Sequence, residues 1–105
     1  MINTKKQLCE YIKKSKNIII IIFIAKNCNK SKKIINYFNN NNISYKACYI
    51  DNNKLSDYKQ IWNIKLPPTI MFLKLCDRTV IPKDKITGIN INMLICKLKY
   101  YNIIV

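Results

Sequence analysis

The sequence predicts an α/β domain in which a mixed four-stranded sheet is flanked by helices, in the order α-β-α-β-α-β-β-α. Three observations carry this expectation. Residues 18–25 form an apolar, largely β-branched run that no polar side chain interrupts. Stripes of apolar residues at helical spacing precede and follow it. Near the end, two strand-like runs are joined by Cys76-Asp77-Arg78. Strands that alternate with helices predict a parallel pair, and the late hairpin predicts an antiparallel extension.

Each element has its own signature. Thr4 followed by Gln7 is a capping-box pattern, in which hydroxyl and amide each satisfy a free backbone N–H. Leu8, Tyr11, Ile12 and Ser15 then recur at helical spacing, so residues 4–16 are expected to be helix. The 18–25 run reads as a central strand buried on both faces, as parallel sheets require. After Cys28, the stripe Ser31, Ile34, Ile35, Phe38 predicts a second helix. Residues 39–42 are all Asn, the best substitute for Gly in the left-handed conformation that ends a helix. Residues 43–50 are expected to be a strand, with Asp51-Asn52-Asn53 as its turn. Leu55, Tyr58, Ile61 and Trp62 suggest a short helix, and Leu66-Pro67-Pro68 is a rigid break. Strands over 69–75 and 79–86 follow, the second carrying Pro82, which suits an edge. Ile91, Leu94, Ile95 and Leu98 mark a last helix after Gly88.

With 105 residues, half of them hydrophobic, the chain is expected to form one domain over 1–105 with a real core and no general disorder. Ile (22), Lys (18) and Asn (15) make up more than half of it, the skew that an AT-rich genome produces. The net charge of +14 is therefore partly compositional. Lys is spread from Lys5 to Lys99 and Arg78 is the only arginine, which argues against base-specific nucleic-acid recognition. Trp62 and the tyrosines form no regular stacking array. The apolar run at 17–25 resembles a signal-peptide core but is too short to span a bilayer, and its flanks fit a strand between helices. No membrane partner is expected. Cysteines at 9, 28, 48, 76 and 96 include no C-x-x-C pair, and the chain has no His, so no metal site is expected. An odd count argues against a secreted disulfide framework and for a reducing, cytoplasmic setting. Packing is the expected role of Cys9, Cys48 and Cys96, whereas Cys76, in a hairpin turn, is expected to be the exposed one.

The ordered set Phe23-Ile24-Ala25-Lys26-Asn27-Cys28-Asn29-Lys30-Ser31-Lys32, Tyr49-Ile50-Asp51, Leu66-Pro67-Pro68-Thr69 with Ile70-Met71-Phe72, and Thr87-Gly88 resembles the thioredoxin/glutaredoxin superfamily over nearly the whole chain. The resemblance implies a thioredoxin-like fold and a divergent monothiol member, with C-x-x-S at Cys28 and Ser31. It also implies that Pro68 is the cis-proline facing the active cysteine. Pro67, Pro68 and Thr69 would then line the substrate groove. The residue before that proline normally pairs its backbone with substrate, and Pro67 has no N–H to offer. Departures are equally plain. Ile22 stands where thioredoxins carry a buried acid. The glycine pair and aspartate that bind glutathione in glutaredoxins are missing, and Asn29-Lys30 replaces the Gly-Phe of cluster-binding members. No cofactor is expected, and glutathione enters only as a possible partner.

Cys28 at a helix start meets the conditions for a lowered thiol pKa: free N–H groups, Lys26, Lys30, Lys32 and Lys33 nearby, and a Ser31 hydroxyl able to donate to the sulfur. Two functions follow. One is a thiol–disulfide oxidoreductase that forms a mixed disulfide at Cys28 with a protein thiol or disulfide partner. The other is a non-catalytic module that holds a protein in the Cys28/Pro68 groove.

Overall fold

The structure is a computed structural model that describes residues 1–15 and 17–105. Its elements are α1 (Lys5–Lys14), β1 (Ile19–Ile24), α2 (Asn29–Asn40), β2 (Lys46–Tyr49), a 3-10 turn (Asn53–Leu55) leading into α3 (Ser56–Ile61), β3 (Thr69–Cys76), β4 (Thr79–Thr87) and α4 (Ile91–Tyr100). The helix expected over 4–16 is α1 with Thr4 as its cap; Lys16 lies outside the described residues. The capping box forms: Thr4 Oγ1 accepts from the Gln7 N–H at 3.2 Å, and Gln7 Oε1 accepts from the Thr4 N–H at 3.2 Å.

β1 occupies the middle of a sheet ordered β2-β1-β3-β4. It pairs in parallel with β2, Phe23 opposite Cys48, and antiparallel with β3, Phe23 opposite Thr69. Successive side chains of a strand point to opposite faces, so one apolar strand supplies two cores. Ile19, Ile21 and Phe23 pack with Leu8 and Ile12 of α1, Leu55, Trp62, Met71 and Leu73. Ile20 and Ile22 pack with Ile34 and Phe38 of α2, Leu94 and Leu98 of α4, Ile70, Phe72 and Ile86. Helices thus cover both faces, α1 and the α3 segment on one, α2 and α4 on the other.

The hairpin closes on Cys76 opposite Thr79, with Asp77 (φ 48°) and Arg78 (φ 71°) both left-handed, as a two-residue turn of matching twist requires. Pro82 lies on the edge strand beside a register shift opposite Phe72 and Leu73, where a missing N–H leaves no ladder bond unmade. Residues 43–45, expected in a strand, are not: the Ile43 N–H bonds to the Phe38 carbonyl at 3.0 Å and closes α2 through Asn42, which is left-handed at φ 54°. The strand begins only at Lys46.

The end of α4 is tied to the edge strand by Asp84, which accepts from the Tyr101 hydroxyl and pairs with Lys97 Nζ at 3.1 Å. Tyr101 also stacks on Phe72, with ring centroids 5.4 Å apart. Partial burial alone would raise the Asp84 carboxyl, but these two donors outweigh it and hold it below its ordinary value. Burial and the same carboxylate push the Tyr101 phenol up. Because the folded carboxyl titrates below the unfolded one, the cluster stabilises the fold above about pH 4 and loses that contribution as pH falls through the folded value. Thermal unfolding between pH 3 and 6 is therefore expected to be more acid-sensitive in the wild type than in Asp84→Asn. Phe38→Ala, which opens a cavity under α2, is expected to cost about 3–5 kcal/mol in urea unfolding followed by Trp62 fluorescence.

Candidate active site at the β1 exit

β1 ends at Ile24, and three residues separate it from Cys28, the cap of α2. Asn27 makes the turn at φ 57°, a conformation Asn tolerates better than most residues. Cys28 follows as the N-cap, extended at φ −107° and ψ 111°, its carbonyl taking the first helical bond from the Lys32 N–H at 3.1 Å. Its own side chain makes no capping bond. The thiol is half-buried and the Ser31 side chain is buried.

The Ser31 oxygen accepts from the Ala25 N–H at 3.3 Å. A hydroxyl that accepts there keeps its proton for another acceptor. The Cys28 thiol lies below its ordinary value, chiefly because of this Ser31 hydroxyl, then the Ser31 backbone N–H, with smaller help from the N–H and charge of Lys30 against the opposing effect of desolvation. Of the four nearby lysines that the sequence singles out, Lys30 is the one whose charge acts on the thiol. Neutral hydrogen bonds at a helix entrance, more than cationic surroundings, favour the thiolate.

The neighbouring strand brings the proline segment to the same end of the sheet. Thr69 pairs with Phe23, so one step further along the register sets Pro68 beside Ile24. The Pro67–Pro68 peptide is cis. Thr69 is fully buried and its hydroxyl donates to the Leu66 carbonyl at 2.6 Å, while the Gly88 N–H donates to the Pro68 carbonyl at 2.8 Å. Gly88 makes that contact at φ 81°, in the left-handed region that favours glycine. Leu66 stands exposed in front of this segment, 63% accessible. Pro67, Pro68 and Thr69 are thus fixed from both sides.

All five cysteines are free. Cys48 is buried against β1, and burial pushes its thiol up to about 12. The other expectations need correction. Cys9 and Cys96 are exposed, because the stripes that α1 and α4 bury run through Leu8 and Ile12 and through Leu94 and Leu98, and Cys9 lies one residue from Leu8 while Cys96 lies midway between Leu94 and Leu98. Cys76 is only half-buried, since it closes the hairpin as the last residue of β3. Among the described residues no cluster of acidic, Cys or His side chains is suited to a metal, and no helix is long and apolar enough to cross a membrane.

On the opposite side of the β1 exit from the prolines lies a cavity of about 450 Å³ between the ends of β1 and β2 and the first turns of α2. Lys26, Asn27, Ser31, Lys32, Asn36 and Tyr49 contribute its polar wall. Sequence reasoning missed this feature, for it depends on the β2 end, which carries Tyr49, meeting α2.

Comparison of the sequence with protein-family models and with curated proteins gives no match. Comparison of the structure gives many. A thioredoxin of Plasmodium falciparum is similar with a TM-score of 0.73 at 24% identity, covering 95% of this chain and 84% of that one. One from Trichomonas vaginalis gives 0.76 at 14%, covering 96% and 94%. A poplar thioredoxin h gives 0.70 at 28%, covering 94% and 91%. The fold is thioredoxin-like. Alkylation of Cys28 is expected to reach half its maximal rate at a lower pH than for an unperturbed cysteine, about 8.5. Ser31→Ala should move that midpoint upward, as read by mass spectrometry of iodoacetamide-treated protein.

Proposed function

We propose that the chain is a thiol–disulfide oxidoreductase that works through Cys28 alone. The observation that carries this reading is the Cys28 thiol at the entrance of α2, held below its ordinary value by the Ser31 hydroxyl. The attacking species in disulfide exchange is the thiolate, so a lowered pKa raises the reactive fraction near neutrality. The thioredoxin-like fold of the chain and its many thioredoxin neighbours support the same reading.

The Cys28 thiolate attacks one sulfur of a partner disulfide. A Cys28–partner S–S bond forms as the partner's own S–S bond breaks, and the second partner sulfur leaves as a thiolate that takes a proton from water. The Ser31 hydroxyl favours the thiolate but offers no second thiol. Cys48 cannot serve, being buried with its thiol near 12. Cys76 lies seven residues along β3 from Thr69, roughly 23 Å away at the rise of an extended strand. An external thiol then attacks the mixed disulfide, takes the partner sulfur and returns Cys28 as thiolate. Pro67, Pro68 and Thr69 form the wall along which the partner chain lies; its backbone can donate to the Pro67 carbonyl but finds no N–H there. Such chemistry belongs in a reducing compartment, where external thiols are plentiful.

Treatment with a small disulfide should give a single 1:1 adduct, mapped to Cys28 by intact-mass and peptide analysis and absent from Cys28→Ser. Ser31→Cys supplies a second sulfur, so the adduct should drain into an intramolecular disulfide, slowly, since burial holds the introduced thiol protonated. An adduct rate no greater than that of an unperturbed thiol, with partner capture retained in Cys28→Ala, would instead identify a non-catalytic binding module.

A further inference from the structure

The cavity beside Cys28 carries charge of one sign. Lys26 and Lys32 line it, together with the amides of Asn27 and Asn36, and no carboxylate does. The five acids of the chain are Glu10, Asp51, Asp57, Asp77 and Asp84. Asp57 and Asp84 are paired with Lys5 and Lys97, Glu10 lies on α1, and Asp77 turns the hairpin. Asp51, exposed after β2, and Asp57, held by Lys5, both follow that strand, and neither is part of the cavity wall.

One of the two cations is also positioned. Lys26 Nζ sits 5.2 Å from the centroid of the Tyr49 ring, whose face attracts the ammonium and narrows the range it samples. Ser31 joins the cavity to the site: its side chain belongs to the wall and stands in the first turn of the helix that Cys28 caps. A volume of about 450 Å³ falls within the range of small-molecule sites. A net charge of +14 would draw anions to the whole surface. A walled pocket with two lysines and no acid, sharing Ser31 with the nucleophile, is a local feature beyond that general field.

Resting on the Cys28 chemistry above, we propose that the site prefers small disulfides whose transferred half carries a carboxylate, seated between Lys26 and Lys32 while its sulfur meets Cys28. The step is balanced: Cys28 thiolate and R–S–S–R′ give Cys28–S–S–R and the R′ thiolate, with no outside oxidant. The carboxylate stays in place through the exchange and serves only to hold the sulfur near its attacker.

Matched probes test this: 3,3′-dithiodipropionate (anionic), 2-hydroxyethyl disulfide (neutral) and cystamine (cationic). Each adduct rate at Cys28 is divided by the rate of a free small thiol with the same disulfide, which removes leaving-group differences. At low salt the anionic probe should exceed the neutral one by about tenfold on this scale, and the cationic one should fall below it. High salt should erase most of the advantage. The double variant Lys26→Gln/Lys32→Gln should lose it, whereas Lys99→Gln, on the exposed face of α4, should keep it. Equal normalised rates for anionic and neutral probes would overturn the proposal, as would an advantage that Lys99→Gln removes as fully as the double variant. Both results would leave Cys28 chemistry standing. Failure of all three probes to react would defeat that chemistry itself.

Discussion

The structure depends on the double burial of β1. Its six residues, Ile19–Ile24, carry no polar side chain, and five of them are buried. Such a segment can exist only where its backbone N–H and C=O groups find partners on both edges and its side chains find cover on both faces. β2 and β3 supply the first, and the four helices supply the second. Each Ile or Phe in it contributes about 1.5–3 kcal/mol on removal from water, so the strand anchors both cores at once. Its C-terminal end is then a fixed point in space. Cys28 leaves that point after only three intervening residues, and Thr69 enters beside it through the pairing with Phe23. The site is assembled because the strand is held.

In the proposed chemistry, the immediate surroundings of Cys28 prepare a reactive thiol with little charge. A thiolate at a helix entrance meets N–H groups that have no helical partner, and here the Ser31 hydroxyl adds a donor whose own oxygen is satisfied by Ala25. These groups are fixed by the backbone of α2 and are therefore preorganised. The lysines play a different part. Lys30 acts weakly on the thiol, and Lys26 and Lys32 belong to the cavity wall. The same composition thus serves two ends according to where the backbone places each residue.

Much of this was legible in the sequence because periodicity is a property of local pattern. The Thr4/Gln7 cap, the alternating cores of β1, the edge position of Pro82 and the burial of Ser31 on the stripe with Ile34 and Phe38 all follow from spacing. Where the reading failed, a tertiary claim on a residue had priority. Ile43 is buried and looks like a strand residue, yet its N–H is committed to the end of α2. Cys9 and Cys96 were assigned by residue type, although their positions relative to Leu8/Ile12 and Leu94/Leu98 place them off the buried stripes. The cavity was out of reach altogether. It forms where Tyr49 of β2, the loop after β1 and α2 converge, and no window of the sequence contains all three.

Ser31 and Ile22, which differ from the thioredoxin pattern that the sequence otherwise resembles, make physical sense as a pair. A thiol at position 31 would be as buried as the serine is, at 2% exposure, and burial alone raises a thiol, as it does for Cys48. Deprotonating it would call for a nearby base. A carboxylate at position 22 would stand in a fully desolvated strand, where an ionised group is costly unless paired. Once serine replaces the second thiol, no buried proton has to be removed, and isoleucine can fill the strand position with apolar contacts to Ile34 and its neighbours. The nucleophile of the proposed chemistry, Cys28, stands half-buried at the start of α2, where solvent can carry its proton. In the proposed chemistry, a serine at position 31 that leaves no internal resolving step also leaves no reason for a charge in the core.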